Sequence, residues 1–242
     1  MIYPITILKE IYNYVKNPTP NILNNDTFGK KIKFILTSIL IMLILKLVFG
    51  VINVTLHSLN IVDFTNHTQE KIAEKSLFDK IFWIVLLGPL FEELAFRLYL
   101  KWKVPFIVIS FSLIGVWFYN KYFLPSNNGL LNIENINQKL IFIAGSVLVL
   151  SSILFPFKTK VENWGLKHFK YIFYFSVLAF AFMHIQNYTL NLSTILFSPL
   201  FIMPQLFGGL NEAYIRMKYG IFWSYLAHMI NNFIFISGKL LF

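Results

Sequence analysis

The chain contains no cysteine. Disulfide bonds, thiolate nucleophiles and cysteine-ligated metals are therefore excluded outright. Charge is scarce as well: 13% of the 242 residues are Asp, Glu, Lys or Arg, and only 11 are acidic. A water-soluble surface needs about twice that charge density. The shortage of acid leaves a formal net charge of +10, a balance that raises the question of nucleic acid. The 21 Lys and Arg, however, lie in short segments between apolar runs and form no dense patch interleaved with aromatics, so no nucleic-acid partner is expected. A secretory signal is not recognisable either. Residues 1–33 mix apolar and polar positions, carry Lys9, Lys16, Lys30, Lys31 and Lys33, and lack a compact apolar core with a small-residue cleavage site.

What fills the chain instead is apolar: 57% of residues, with 27 Phe and a mean hydropathy of +0.63. Aromatics at 18% suit a lipid-facing exterior with interfacial Tyr and Trp. Runs of about 18–22 mostly apolar residues are long enough to cross the hydrocarbon core as helices. They fall at 34–55, 81–100, 104–123, 139–157, 170–189, 192–210 and 219–240. The expected fold is all-α, a polytopic transmembrane helix bundle of about seven spans (six to eight). It is divided into a segment 1–33 and a single transmembrane domain 34–242. Within 1–33, Ile5 to Val15 reads as a short amphipathic helix lying on the membrane surface, followed by the Asn- and Pro-rich stretch Asn17 to Asp26. The polar connections His57 to Asp79 and Asn120 to Gln138 are expected to face water.

Positive residues accumulate on the cytoplasmic side of membrane proteins. Segments 1–33, 97–103, 158–170 and 211–218 hold 14 Lys and Arg, against 6 in the alternate set. The N-terminus is thus predicted to be cytoplasmic and the C-terminus outside. The usage of Asn, Ile, Lys and Phe points to a bacterium with an AT-rich genome, and so to the bacterial inner membrane as the cell membrane concerned.

Within the predicted spans the polar side chains stand out. Glu92 and Glu93 lie in Gly88-Pro-Leu-Phe-Glu-Glu-Leu-Ala-Phe-Arg97. One charge at the centre of a spanning helix costs about 2.5–3.5 kcal/mol on insertion scales, so an adjacent pair implies a polar interior and a function. Neighbours on a helix point about 100° apart while residues four apart share a face, so Glu93 is expected to pair with Arg97 and leave Glu92 free for proton chemistry. Pro89 cannot donate a backbone hydrogen bond and is expected to kink the helix nearby. His57, His67 and His168 fall in predicted loops, whereas His184 and His228 fall in spans. Phe180 is one turn before His184 and can buttress its ring; Asn232 shares the face of His228, with Asn231 a competitor. A lone His or Asn in a membrane helix is more often an interhelical hydrogen-bond donor than a catalyst. Two carboxylates, an Arg, two His and an Asn on three spans must find one another or water, and that favours a site.

The ordered patterns E-E-x-x-x-R (Glu92, Glu93, Arg97), F-x-x-x-H (Phe180, His184) and H-x-x-x-N (His228, Asn232) resemble those of the CAAX protease and bacteriocin-processing family, also called the Abi family, of intramembrane endopeptidases. The resemblance covers roughly residues 80–235. It implies a peptidase in which Glu92 and His184 activate a water for attack on a scissile carbonyl. His228 and Asn232 would stabilise the oxyanion, while Glu93, Arg97 and Phe180 support the site. The implied substrate is a peptide or membrane-anchored protein in contact with the lipid bilayer. Its identity stays open between prenylated proteins, bacteriocins and membrane-bound regulators.

Alternatives remain at this stage. Glu92, His184 and His228 could supply the ligands of a catalytic zinc with one open position. The lack of H-E-x-x-H, and an Asn where a ligand would stand, favour a mechanism without a cofactor. A bundle that serves as an immunity or scaffold factor without turnover is a second reading. A proton-coupled transporter is a third, weakened because no repeat pairs the two halves. Lys46 is expected to snorkel or face the cavity, Glu212 and Arg216 to pair four apart, and Pro199, Pro204, Gly208 and Gly209 to interrupt the sixth span.

Overall fold

The structure, a computed structural model, describes residues 3–22, 24, 26–62, 75–124, 135–189 and 191–241, the side chains of 238–241 excepted. It is all-helical. In chain order the main helices are α1 (Tyr3–Lys16), α2 (Phe28–Ser58), α3 (Gly88–Phe96), α4 (Val104–Phe123), α5 (Ile136–Leu154), α6 (Lys158–Lys167), α7 (Phe169–Met183), α8 (Ser198–Tyr219) and α9 (Ile221–Leu241). Among the described residues four stretches are long and apolar enough to cross a membrane: Phe28–Ser58, Val104–Phe123, Ile136–Lys167 and Phe169–Asn187. Large apolar side chains such as Leu47, Val51, Ile141 and Leu148 point outward from α2 and α5. Together these are the features of a membrane protein, because outward apolar surface on this scale is stable against lipid and not against water. Most of the water-facing connections expected at His57–Asp79 and Asn120–Gln138 lies outside the described residues.

The organising element is α8, which packs against α1, α2, α7 and α9. On one side of it Ile7 and Ile11 of α1 join Phe34, Ile35, Ile39 and Met42 of α2 in one core cluster. The expected amphipathic helix is thus present, and its buried stripe faces the bundle. It is tied there by Tyr214 Oη donating to Glu10 Oε1 at 2.5 Å, by the Glu10–Lys218 ion pair and by Tyr174 Oη donating to the Val15 carbonyl at 2.6 Å. The limit expected at residue 33 falls inside α2, which already begins at Phe28.

Two predicted elements change character. The run 81–100 is not one regular helix. Lys80–Leu87 is π-helical, α3 follows, and Leu98–Leu100 is a 3-10 turn. The Gly88 N–H bonds back to the Trp83 carbonyl, and a Cβ at Gly88 would sit 2.9 Å from that oxygen, so only glycine fits this change of pitch. Pro89 then sits where a helix start tolerates a missing donor. The sixth span is also corrected. A one-turn helix Leu192–Leu196 ends before Ser198, and α8 then runs unbroken through Pro204, Gly208 and Gly209 to Tyr219. Those glycines permit close approach instead: a Cβ at Gly209 would meet Phe180 Cδ1 at 2.9 Å and Arg97 Nη2 at 3.3 Å.

Candidate active site

The candidate site forms where α3, α7, α8 and α9 meet. α3 supplies Glu92, Glu93 and, at its C-terminal cap, Arg97. The carbonyls released at this helix end are not left bare. Ser176 of α7 donates to the Phe96 carbonyl, and Arg216 of α8 donates through Nε to the Arg97 carbonyl at 3.1 Å and through Nη2 to that of Leu98 at 3.4 Å. These partners fix the end of α3, and with it the two carboxylates.

Glu93 is fully buried and is gripped from α9. Ser224 Oγ lies 2.5 Å from Glu93 Oε2 and 2.9 Å from the Glu212 carbonyl, and His228 Nδ1 lies 3.1 Å from Glu93 Oε1. The expected Glu93–Arg97 pair exists only at 3.8 Å, through Arg97 Nε. Arg97 gives its strong bond to another residue: Nη2 donates to Glu212 Oε2 at 3.0 Å. Its guanidinium also lies 3.6 Å over the Phe180 ring, and such a cation on an aromatic face in a desolvated setting contributes about 2 kcal/mol. The expected Glu212–Arg216 pair is not made, since Arg216 serves backbone carbonyls and Glu212 joins Arg97. A buried pair on separate helices cannot be read from spacing along one of them.

Glu92 is the more open carboxylate, 31% exposed at its side chain, and His228 Nε2 approaches its Oε2 at 3.5 Å. His184 begins the 3-10 turn His184–Asn187 at the end of α7, with Nδ1 held 2.8 Å from the Phe180 carbonyl. Its ring sits 4.7 Å from that of Phe180, which also touches His228 at 6.0 Å between ring centres. The ion-pair partner within 4 Å of Glu92 is nevertheless His228, not the His184 that the family pattern pairs with it.

Asn232 does lie on the face of His228, and its Nδ2 donates to the Ile84 carbonyl in the π-helical segment at 3.0 Å. Tyr225 Oη does the same at the Leu86 carbonyl at 3.2 Å. Asn231 points to the opposite neighbour, Lys46 of α2, at 2.9 Å. Lys46 thus faces the bundle interior. Spacing marked Glu212 only as a partner for Arg216, and it did not mark the buried Ser224. No sequence signal pointed to Ser224.

Two ligand sets are conceivable for a metal. Glu93, Glu212 and His228 bring one ligand atom each within 4.8 Å of one another, but the Arg97 guanidinium already balances that charge. The other set, Glu92, His184 and His228, expected from the sequence, is not gathered within that distance. Both of its imidazoles have Nδ1 engaged by an acceptor, and Nε2 of His228 faces Glu92 Oε2 at 3.5 Å, an orientation shared by metal-binding and catalytic histidines.

Comparison of the chain with protein-family models, with curated proteins and with solved structures finds no match in any of the three. The functional reading therefore rests on the residues and their geometry.

Proposed function

We propose that this chain is an intramembrane endopeptidase of the CAAX-protease and Abi type, hydrolysing a peptide bond of a membrane-associated peptide or protein. The observation that carries the reading is the approach of His228 Nε2 to Glu92 Oε2 at 3.5 Å beneath a half-open carboxylate, on helices otherwise committed to apolar packing. In this reading Glu92 and His184 activate the attacking water, and His228 with Asn232 receives the oxyanion.

The surroundings of the two histidines support that division of labour. His184 gives its Nδ1 hydrogen to a neutral backbone carbonyl, which leaves Nε2 with a lone pair able to take a proton from water. His228 Nδ1 faces the carboxylates of Glu93 at 3.1 Å and Glu212 at 3.7 Å. A doubly protonated His228 therefore has its charge paired, and its Nε2–H, which faces Glu92 Oε2 at 3.5 Å, is the donor that a developing oxyanion would take over. Asn232 sits one turn further along the same helix face. Glu93, Arg97 and Phe180 hold this arrangement in shape.

The proposed setting is the cell membrane, with seven spans read from the apolar runs, a cytoplasmic N-terminus favoured by the distribution of Lys and Arg, and a bacterial inner-membrane location favoured by the usage of Asn, Ile, Lys and Phe. No cofactor is required in this mechanism. Were zinc bound, Glu92, His184 and His228 would hold it, and it would supply an activated water.

The test is cleavage of a membrane-anchored fluorogenic peptide by the purified protein in liposomes. Glu92→Gln and His184→Ala should each lower kcat by about 10²–10⁴-fold, the range of a lost general acid or base. Undiminished cleavage in both variants would sink the assignment.

A further inference from the structure

Lys46 lies in α2, outside the three sequence patterns, yet it ends a chain of hydrogen bonds that leads into the site. Lys46 Nζ donates to Asn231 Oδ1 at 2.9 Å, Asn231 Nδ2 donates to Asn232 Oδ1 at 3.3 Å, and Asn232 Nδ2 donates to the Ile84 carbonyl at 3.0 Å. An ammonium has three donors and no acceptor, and a carbonyl accepts only. The two carboxamides therefore lie between a pure donor and a pure acceptor, and both are compelled to run in the same direction.

We propose that Lys46 is a positioning residue that sets the orientation of the Asn231–Asn232 pair, so that Asn232 presents N–H groups rather than its oxygen. The inference rests on the peptidase reading for its purpose, since an amide serves an oxyanion only through N–H. One N–H of Asn232 is spent on Ile84; the second is the donor this arrangement keeps available. Lys46 runs along α8, its Cε and Nζ at ordinary contact distance, 3.6 Å, from where a Cβ on Gly208 would stand. A cation at the head of the chain also polarises the bonds below it, strengthening each donor in turn.

The experiment uses the full chain in detergent micelles or liposomes, with ¹⁵N-asparagine labelling and with Asn231→Asp and Asn232→Asp to assign the two side-chain NH2 signals. Lys46→Met should displace both signals, and Lys46→Arg, another pure donor, should return them. In the cleavage assay Lys46→Met should lower kcat by about 10- to 100-fold at nearly constant KM, as misplacement of a catalytic group does. Lys46→Arg should recover most of the loss. Unmoved NH2 signals in Lys46→Met overturn the proposal, as does full kcat in that variant. Equal loss of folded protein in the Met and Arg variants would make Lys46 a packing residue and overturn it as well. If the unsubstituted chain cleaves nothing while the signals move as expected, the peptidase reading fails and the orienting role stands.

Discussion

His228 Nδ1 stands 3.1 Å from Glu93 Oε1, closer than the 3.8 Å that separates the same oxygen from Arg97 Nε on its own helix. The adjacent carboxylates of α3 thus serve different partners across the bundle. Glu93 closes a buried cluster with His228, Ser224, Arg97 and Glu212, while Glu92 meets His228 from the open side. His228 joins the two, through one ring nitrogen each.

Removal of Glu93 should therefore be felt in folding before it is felt in chemistry. Glu93→Ala leaves Arg97 and His228 with one fewer buried counter-charge, and breaking a buried pair in this way costs about 3–5 kcal/mol. Thermal unfolding in detergent should show a marked drop for Glu93→Ala and a small one for Glu92→Ala, whose side chain is 31% exposed. Equal drops would contradict the division drawn between them.

Arg97 and Glu212 meet at 3.0 Å from helices far apart in the chain. Arg97→Met and Glu212→Leu should each destabilise the protein, and the double variant should lose less than the two losses added. A double-mutant cycle is expected to give a coupling above about 1 kcal/mol, as groups in one buried network do. Arg97→Lys should not substitute, because a lysine cannot both bond Glu212 and lay a planar group on Phe180.

The glycine contacts give a steric prediction. Gly209→Ala drives a methyl to within 2.9 Å of the Phe180 ring, an overpacking that costs about 1–3 kcal/mol. Because Phe180 also contacts His184, His228 and Arg97, the same substitution should slow cleavage. Gly145→Ala on α5 meets nothing within 4 Å and should be neutral or stabilising by up to about 1 kcal/mol from helix propensity. Thermal unfolding of the two variants side by side checks the contrast.

The legibility of this structure in its sequence differs by element for physical reasons. α4 was readable to the residue, 104–123, because Lys101 and Lys103 precede it and Pro105 sits in its first turn, where a missing donor does no harm. Seven continuous spans were not obtained as such. In the π-helical stretch Lys80–Leu87 the carbonyls of Ile84 and Leu86 are taken up by Asn232 and Tyr225 of α9, and hydrophobic periodicity does not register such bonds. The inward-facing residues of the three patterns were legible because charge in an apolar run demands explanation. Their partners were not. Spacing along one helix proposed Arg97 for Glu93, a pair that is present at 3.8 Å, but not the closer His228 at 3.1 Å; it proposed Arg216 for Glu212, which instead joins Arg97 across the bundle.

Metal dependence can be argued from Arg97. The three ligand-type groups Glu93, Glu212 and His228 lie within 4.8 Å of one another, but the Arg97 guanidinium is bonded to one of them and 3.8 Å from another. A divalent cation about 4 Å from that guanidinium would be repelled by about 8 kcal/mol at an effective dielectric of 20. Binding there would require Arg97 to leave both Glu212 and the face of Phe180. Added zinc should therefore leave the unfolding temperature of the unsubstituted chain unchanged, and chelators should leave its cleavage rate unchanged. Arg97→Met removes the repulsion and frees two carboxylates and an imidazole. Zinc should then raise the unfolding temperature in a concentration-dependent manner, as any ligand selective for the folded state does. Zinc stabilisation of the unsubstituted chain, abolished by Glu92→Gln and His184→Ala, would instead place the metal at the other ligand set and transfer water activation to it.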